Sequence, residues 1–351
     1  MKKVIYLVED QKSAQFRYRC MNVEMALKNN KKWETEWFLK KDIDKIYDAL
    51  GSAEILVIER QTAKDDTVLK LIEDAKRKNV RVLFDLDDLV FDYRDLPILM
   101  RSTNSRNVVY WMGYFWGIRR IAKKVDGFLC TNDFLGKKLK RSFSKPYKVI
   151  PNSLNEKQIE VSEKCLKEKK YDGFVVGYFS GSPTHVKDFR LIELELVEFL
   201  NEHNDVTLKI VGYMDYSARI KEMIEKGRVQ VVQLVDYLKL QKLISEVDVN
   251  IAPLVINDFT NCKSELKFFE AAVVETTTIA SPTYTFKKAI SDGENGFLAK
   301  TSEWYGKLEY LYGHPKENKR IAKRAKEYAL KHYYGKEFLK EVEEAYDYFA
   351  R

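Results

Sequence analysis

Two lysines and a glutamate near residue 265 have a spacing that could bind a phosphorylated ligand. They lie in the stretch NCKSELKFFEAA, residues 261–272. In a helix that starts near Ser264, the side chains of Lys263, Lys267 and Glu270 would share one face. Lysines at a helix N-terminus suit phosphate oxygens, and a carboxylate one turn further on can accept hydrogen bonds from both ribose hydroxyls. The commoner use of such residues is a solvated helix face with an ion pair.

A second candidate anion site is the stretch YFSGSPTHVKDF, residues 178–189, where a predicted strand turns into a helix. Gly181 allows a close approach of the backbone, and N–H groups at Ser182 and Thr184 could bind an anion. Lys187 would lie in the first helical turn, within reach of a phosphate. A plain strand-to-helix turn with Thr184 as the N-cap explains the same residues.

An acidic stretch, RVLFDLDDLVFD over residues 81–92, allows three interpretations. It resembles the nucleophile strand of haloacid-dehalogenase-type phosphatases, in which Asp85 and Asp87 would hold Mg²⁺, but Leu89 stands where that pattern has threonine. Alternatively, Asp85 ends a strand while Asp87 and Asp88 cap the following turn. In the third interpretation the acidic loop lines a cleft and meets hydroxyl groups of an acceptor.

Basic residues also accompany aromatic ones in the first half of the chain. Arg17 and Arg19 are two apart, so one of them can face a cleft while the other is structural. The segment 101–124 contains six basic residues and no acidic one. Its interleaved aromatic residues suit a membrane surface, and single-stranded nucleic acid is the weaker alternative.

Strands and helices alternate along the chain, which predicts βαβ units and parallel sheets. Five apolar runs from VIYLVE to YKVI predict strands before a polar segment, among them ILVIE over 55–59. Six further runs predict strands after that segment, among them VTLKIVG over 206–212. Two doubly wound sheets would face each other across a cleft at the carboxyl ends of their strands. The predicted division is a first domain over 1–155, a linker over 156–172, a second domain over 173–335 and a final helix over 336–351.

The composition limits the classes of protein. A chain of 351 residues with 45% hydrophobic residues can form two packed domains. No apolar run approaches the roughly 18–20 residues of a membrane-spanning helix. Four separated cysteines predict reduced thiols and a cytoplasmic location, and four scattered histidines predict no metal site. The net charge of +8 suits a phosphate-rich ligand, an anionic membrane or nucleic acid.

These motifs and their order along the chain resemble those of the group 1, or family 4, glycosyltransferases of bacterial surface polysaccharide synthesis. The resemblance is strongest over 173–300, through GYFSGSPTH, KIVG, DVNIAPL, CKSELKFFEAA and DGENGFLA, and weaker in the first half. It implies a GT-B fold whose final helix crosses back to the first domain. It also implies retention of anomeric configuration, no metal or other cofactor, and a nucleotide-sugar donor in the second domain.

The resemblance also implies which residues act. Catalysis would rest on Lys187, Lys267 and Glu270, with Glu270 on the ribose. Donor contacts would come from Gly181, Ser182, Thr184, Gly212, Asn261, Lys263 and Ser264, and acceptor-side contacts from Arg17, Arg19, Asp87 and Asp88. The family's first donor-site glutamate falls at Cys262, so the sugar hydroxyls must meet other groups, for which Asn261, Asn257 and the backbone amides of 257–262 are the candidates.

The expected activity is hexosyl or deoxyhexosyl transfer to a glycan or a lipid-linked glycan. A lipid-linked acceptor would explain membrane-surface contact through 101–124, in a peripheral position on the inner face of the cytoplasmic membrane, with no nucleic acid involved. Two alternatives remain: a metal-dependent phosphohydrolase at Asp85 and Asp87, and a non-catalytic nucleotide- or glycan-binding protein on the same fold.

Overall fold

The computed structural model describes residues 1–168, 173–181 and 186–350. It contains two six-stranded sheets in which every neighbouring pair of strands is parallel. The sheets follow one another along the chain, and helices cover both faces of each. The predicted architecture of two doubly wound α/β halves is therefore confirmed.

The first sheet has the strand order β2-β1-β3-β4-β5-β6. Its strands are β1 Lys2–Val8, β2 Trp33–Leu39, β3 Ile55–Glu59, β4 Arg81–Leu86, β5 Gly127–Cys130 and β6 Tyr147–Val149. The direction of winding reverses between β1 and β3, which is where open parallel sheets bind ligands. The edge strand β2 was not evident from hydrophobicity because its alternating WETEWFL leaves most positions half-buried.

The second sheet has the order β12-β11-β10-β7-β8-β9. Its strands are β7 Phe174–Ser180, β8 Val206–Gly212, β9 Val229–Val232, β10 Val249–Ala252, β11 Thr277–Ala280 and β12 Phe297–Leu298. Its winding reverses between β7 and β10. The two predicted phosphate-binding stretches follow these two strands, so the topology brings them to one edge of the sheet.

Helices connect the strands and bury an apolar face against each sheet. In the first half they are α1 Ala14–Phe16, α2 Asn22–Leu27, α3 Ile43–Ala49, α4 Thr67–Arg77, α5 Leu96–Ser102, α6 Val108–Lys124 and α7 Asp133–Phe143. In the second they are α8 Glu156–Glu168, α9 Val186–Arg190, α10 Glu193–Glu202, α11 Ala218–Glu225, α12 Tyr237–Ser245, α13 Asp258–Asn261, α14 Leu266–Ala272, α15 Tyr284–Ala289, α16 Trp304–Gly313, α17 Pro315–His332 and α18 Lys336–Phe349.

The final helix, α18, packs on the first half of the molecule. Its buried side chains join the cluster that covers β1, and the hydroxyl oxygens of Tyr346 and Tyr6 lie 2.6 Å apart. The side chain of Phe349 lies directly against Gly127 of β5, where a Cβ atom would be 2.3 Å from the ring. These contacts confirm that the chain crosses back after completing its second half.

The polar segment predicted as a linker contains the packed helix α8. Gln158, Ser162 and Cys165 are buried on one face of this helix, and Gln241 of α12 donates a hydrogen bond to Ser162 at 2.9 Å. The composition concealed the packing because small and amide side chains, rather than aliphatic ones, form the buried face. The rest of the segment, 169–172, lies outside the described residues.

Over the described ranges, no helix combines the length and the hydropathy that crossing a membrane requires.

Candidate functional site

A tyrosine of the first half contacts the candidate ribose-binding carboxylate of the second. The hydroxyl of Tyr18 donates a hydrogen bond to Oε1 of Glu270, and both residues are 4% exposed. Burial raises the pKa of Glu270, although Arg17, Tyr18 and Lys267 oppose the shift. The edge of the second sheet that carries Glu270 therefore meets the first half of the molecule in a shared cleft.

Lys267 lies one turn before Glu270 in α14, with its ammonium buried. The Nζ atom has no hydrogen-bond partner among the described residues and lies 4.9 Å from the centre of the Tyr178 ring. Burial lowers the pKa of Lys267 to about 8, against the attraction of Asp188 and Glu270. A buried cation without a hydrogen-bond partner is costly, so its presence favours an anionic ligand.

Arg17 approaches the same carboxylate from the first half. It begins a π-helical turn, Arg17–Met21, inside the helical segment that follows β1. Such turns are frequent at functional sites. The guanidinium lies 4.5 Å from the ring centre of Tyr18 and 4.4 Å from that of Tyr237, and its Nε atom has no hydrogen-bond partner in the described ranges. Arg17 therefore lies beside Glu270, and its acceptor-side role stays a prediction.

Arg19, also expected on the acceptor side, is instead structural. Its guanidinium donates to both carboxylate oxygens of Asp85, at 2.9 and 3.1 Å, and both side chains are 1% exposed. A carboxylate held in this way cannot also act as a metal-binding nucleophile. Asp87 in turn lies 3.2 Å from Arg60. These contacts disfavour the phosphohydrolase hypothesis.

Within the described part of the chain, no group of three His, Cys, Asp or Glu side chains could hold a metal ion.

Lys263 does not share the face of α14 with Lys267 and Glu270, as had been expected. The helix begins at Leu266, so Lys263 lies in the preceding turn. Its ammonium lies 2.6 Å from Asp88, a residue of the first half that also pairs with Arg60 at 2.8 Å. Although burial opposes it, these two cations lower the pKa of Asp88 to about 2. Asp88 therefore reaches the cleft, but as half of an ion pair between the halves.

The remaining expected donor residues lie at the same edge of the second sheet. Gly212 ends β8 with φ of +94°, and a Cβ atom there would be 2.0 Å from the carbonyl oxygen of Ser180, so only glycine fits. Gly181 follows β7, is exposed, and has open space around its Cβ position. The buried hydroxyl of Ser264 has no hydrogen-bond partner among the described atoms. Asn261 is structural, since its Oδ1 accepts the N–H of Tyr284 at 2.9 Å.

Ser182 and Thr184 lie outside the described residues.

A cavity of about 380 Å³ opens between the two halves beside these residues. Helix α5 of the first half forms one wall of this cavity. Helix α9, the turn after β10 and helix α13 of the second half form the other, and we call the cavity the interdomain pocket. Three residues of its lining, Lys187, Asn257 and Lys263, are candidates predicted from the sequence. The other lining residues were not predicted: Ile98, Arg101, Ser102, Asp188, Leu254, Val255, Phe259 and Thr260. No sequence motif distinguishes these residues, because they meet only through tertiary packing.

The helix α6, expected to contact a membrane, has an exposed apolar face. Phe115, Ile118 and Ile121 are buried, so part of its aromatic and aliphatic content belongs to the core. The exposed side chains, which we call the α6 face, are Val108, Val109, Tyr110, Met112 and Trp116, with exposures from 45% to 83%.

Solved structures share this arrangement of two facing Rossmann-like halves, which defines a GT-B fold. HepE from Anabaena is 13% identical, with a TM-score of 0.65, over 99% of this chain and 100% of that one. Sucrose-phosphate synthase from Thermosynechococcus elongatus is 13% identical, with a TM-score of 0.67, over 99% of both chains. A glycosyltransferase from Rickettsia africae is 13% identical, with a TM-score of 0.67, over 100% of this chain and 99% of that one.

The second half carries the family signal. Residues 174–314 match the family model described as "Glycosyl transferases group 1", and they contain β7 to β12, α14 and the candidate donor residues. This region is therefore similar to group 1 glycosyltransferase domains. A search of curated proteins gave no match.

Proposed function

We propose that the chain is a glycosyltransferase that moves a sugar from a nucleotide-diphosphate donor to a glycan or a lipid-linked glycan. The observation that carries the proposal is the buried ammonium of Lys267, one turn from Glu270 at the edge of a region similar to group 1 glycosyltransferase domains. The structural neighbour HepE, described in complexes with UDP and with UDP-glucose, supports a nucleotide-sugar donor.

In the proposed reaction, an acceptor hydroxyl oxygen bonds to the anomeric carbon while the bond from that carbon to the diphosphate breaks. Attack and departure occur on the same face, so configuration is retained, and the hydroxyl proton passes to the diphosphate. Lys267, Arg17 and Lys187 would stabilise the departing charge, which makes a metal unnecessary. Removing one such electrostatic donor typically costs about 10²–10³-fold in rate.

Glu270 would hold the ribose of the donor. Its carboxylate can accept hydrogen bonds from two hydroxyls, and α14 places it one turn beyond the cation that would meet the phosphates. The pocket residues beyond Lys267 would then surround the sugar. The transferred group would be a hexose or a deoxyhexose, and the setting would be the synthesis of surface polysaccharide in the cytoplasm, at the membrane surface.

The test of this assignment is nucleotide-sugar binding by Glu270→Gln and Glu270→Ala. Both variants should bind about 10–100-fold more weakly, because hydrogen bonds to a charged group are worth roughly 1.5–3 kcal/mol. Calorimetry against UDP, GDP and dTDP sugars would measure the affinity. Glu265→Gln is the matched control, since Glu265 accepts a hydrogen bond from Tyr333 at the start of the same helix. Unchanged binding by both Glu270 variants would refute the assignment.

A non-catalytic binding protein on the same fold is the second candidate. It is favoured by Cys262, a fully buried thiol where the resemblance places a sugar-binding carboxylate. Burial also raises the pKa of this thiol, so it stays protonated and uncharged. Hydrolysis of a nucleotide sugar, or its transfer to an acceptor, by the purified chain would separate the enzyme from the binding protein.

A further inference from the structure

The described lining of the interdomain pocket carries an excess of positive charge, and the proposed function above uses only one of its cations, Lys187. Its lining includes three cations, Arg101, Lys187 and Lys263, and one carboxylate, Asp188. Its volume of about 380 Å³ is within the range of about 300–1,000 Å³ for small-ligand sites. The pocket is therefore large enough for a sugar or a phosphate group and is electrostatically suited to an anion.

The charges of Lys263 and Asp188 are already engaged by neighbouring groups. Lys263 forms its ion pair with Asp88 at 2.6 Å. Oδ1 of Asp188 accepts the N–H of Val255 at 2.9 Å, and its charge attracts the buried ammonium of Lys267. These two residues therefore leave Arg101 and Lys187 as the cations that a ligand can meet.

Arg101 and Lys187 come from opposite halves and lie close together. The ammonium of Lys187 donates to the backbone carbonyl oxygen of Arg101 at 3.0 Å, at the end of α5. Both side chains are exposed, and neither forms an ion pair within the described part of the chain. The carbonyl accounts for one donor of Lys187 and leaves the rest of this ammonium and the guanidinium of Arg101 available. Two cations that line one pocket from opposite halves favour an anion between them.

We propose that Arg101 and Lys187 form an anion clamp, in which an anionic group of a substrate binds both halves of the molecule at once. The group is either the diphosphate of the donor or a carboxylate on the transferred sugar, and the apolar wall formed by Ile98 and Phe259 would contact the sugar ring. The clamp extends the proposed function. It rests on that function in one respect, namely that the anion belongs to the nucleotide-sugar donor.

The clamp predicts that Arg101→Gln and Lys187→Gln each weaken anion binding by about tenfold, the factor typical of one charge-assisted hydrogen bond. Inorganic pyrophosphate and glucuronate are the two probes, measured by calorimetry on the full chain. Because both cations would hold one anion, the double variant should lose less than the product of the two single losses. Arg141→Gln, on the exposed surface of α7, is the matched control and should bind both probes as the unchanged protein does.

The two probes distinguish the source of the anion. Weaker pyrophosphate binding would identify the donor diphosphate, and weaker binding of glucuronate alone would identify an acidic sugar; both results support the clamp. Unchanged binding of both probes by Arg101→Gln and Lys187→Gln would overturn it, as would absence of binding to the unchanged protein. A failure of the proposed function would give a different result from a failure of the clamp. In that case the unchanged protein would bind pyrophosphate through Arg101 and Lys187 but would bind no nucleotide sugar.

Discussion

At the scale of single residues, the buried ammonium of Lys267 is expected to lower the stability of the protein when no ligand is bound. It is buried with no hydrogen-bond partner among the described residues, and its burial lowers its pKa to about 8. In an unfolded chain the pKa of lysine is about 10.4. Stability should therefore rise as pH increases from about 8 toward 10.4, because the unfolded chain binds more protons there.

Replacing this ammonium should separate stability from binding. We expect Lys267→Met to raise the free energy of unfolding by about 1–3 kcal/mol, because the variant removes a buried group that lacks a partner. The same variant should weaken binding of a nucleotide diphosphate. In the unchanged protein this binding should weaken above pH 8, where Lys267 loses its charge, and the variant should lack that pH dependence. Urea denaturation and calorimetry at several pH values would measure the two effects. A variant that is less stable and binds normally would contradict this account of Lys267.

At the scale of elements, helix α6 combines a buried side that any core helix would have with the apolar α6 face. Its cations, including Arg120 stacked at 4.6 Å on Trp116, lie beside that face. A helix with exposed aromatic and aliphatic side chains next to basic residues suits the surface of an anionic membrane. Contact with a membrane through 101–124 therefore remains part of the proposed function.

The α6 face predicts binding to anionic vesicles. A Val109→Ser, Trp116→Ser double variant should lose most of its cosedimentation with vesicles that contain phosphatidylglycerol, because it removes two exposed apolar side chains. Its thermal stability should change little, since exposed substitutions are usually within about 0.5 kcal/mol. The control is Leu234→Ser, which removes an apolar side chain that is 65% exposed in the second half. Equal cosedimentation of all three proteins would exclude this surface.

At the scale of the whole molecule, the two halves meet through both apolar and polar contacts. Phe259 and Cys262 of the second half are buried in the core cluster of the first. Besides Tyr18 with Glu270, Nδ2 of Asn132 donates to the carbonyl oxygen of Cys262 at 2.8 Å, and Lys138 pairs with Asp258 at 2.8 Å. The contact between Tyr18 and Glu270 uses the carboxylate to which the proposed function assigns the ribose. Binding of a donor would therefore have to rearrange at least the contact on Glu270.

Tyr18 should compete with the donor for the carboxylate of Glu270. We expect Tyr18→Phe to bind nucleotide diphosphates about tenfold more tightly, since a hydrogen bond to a charged group, worth roughly 1.5–3 kcal/mol, no longer has to be exchanged. Calorimetry would measure the change, with Tyr348→Phe, an exposed tyrosine of α18, as the control. Weaker binding by Tyr18→Phe would mean that Tyr18 supports the ligand rather than competes with it.

Local sequence determined the type of the elements and the approximate ends of most strands. Apolar runs such as ILVIE and VTLKIVG predicted β3 and β8 with the observed bounds, because strands buried on both faces leave a continuous apolar signal. The same reasoning failed for β2, whose alternation leaves most positions half-buried, and for α8, whose buried face is polar. The family resemblance, together with the order of the motifs, predicted the GT-B fold.

The sequence by itself also predicted phosphate and ribose contacts for Lys267, Glu270 and Lys187, because their spacing and their position after predicted strands are local properties. Only the tertiary structure decided which groups they meet. It placed Tyr18 on Glu270, paired Lys263 with Asp88, buried Arg19 against Asp85, and brought Arg101 to Lys187. Each of these pairs joins residues more than sixty positions apart, and such contacts depend on how the sheets and halves pack rather than on any local pattern.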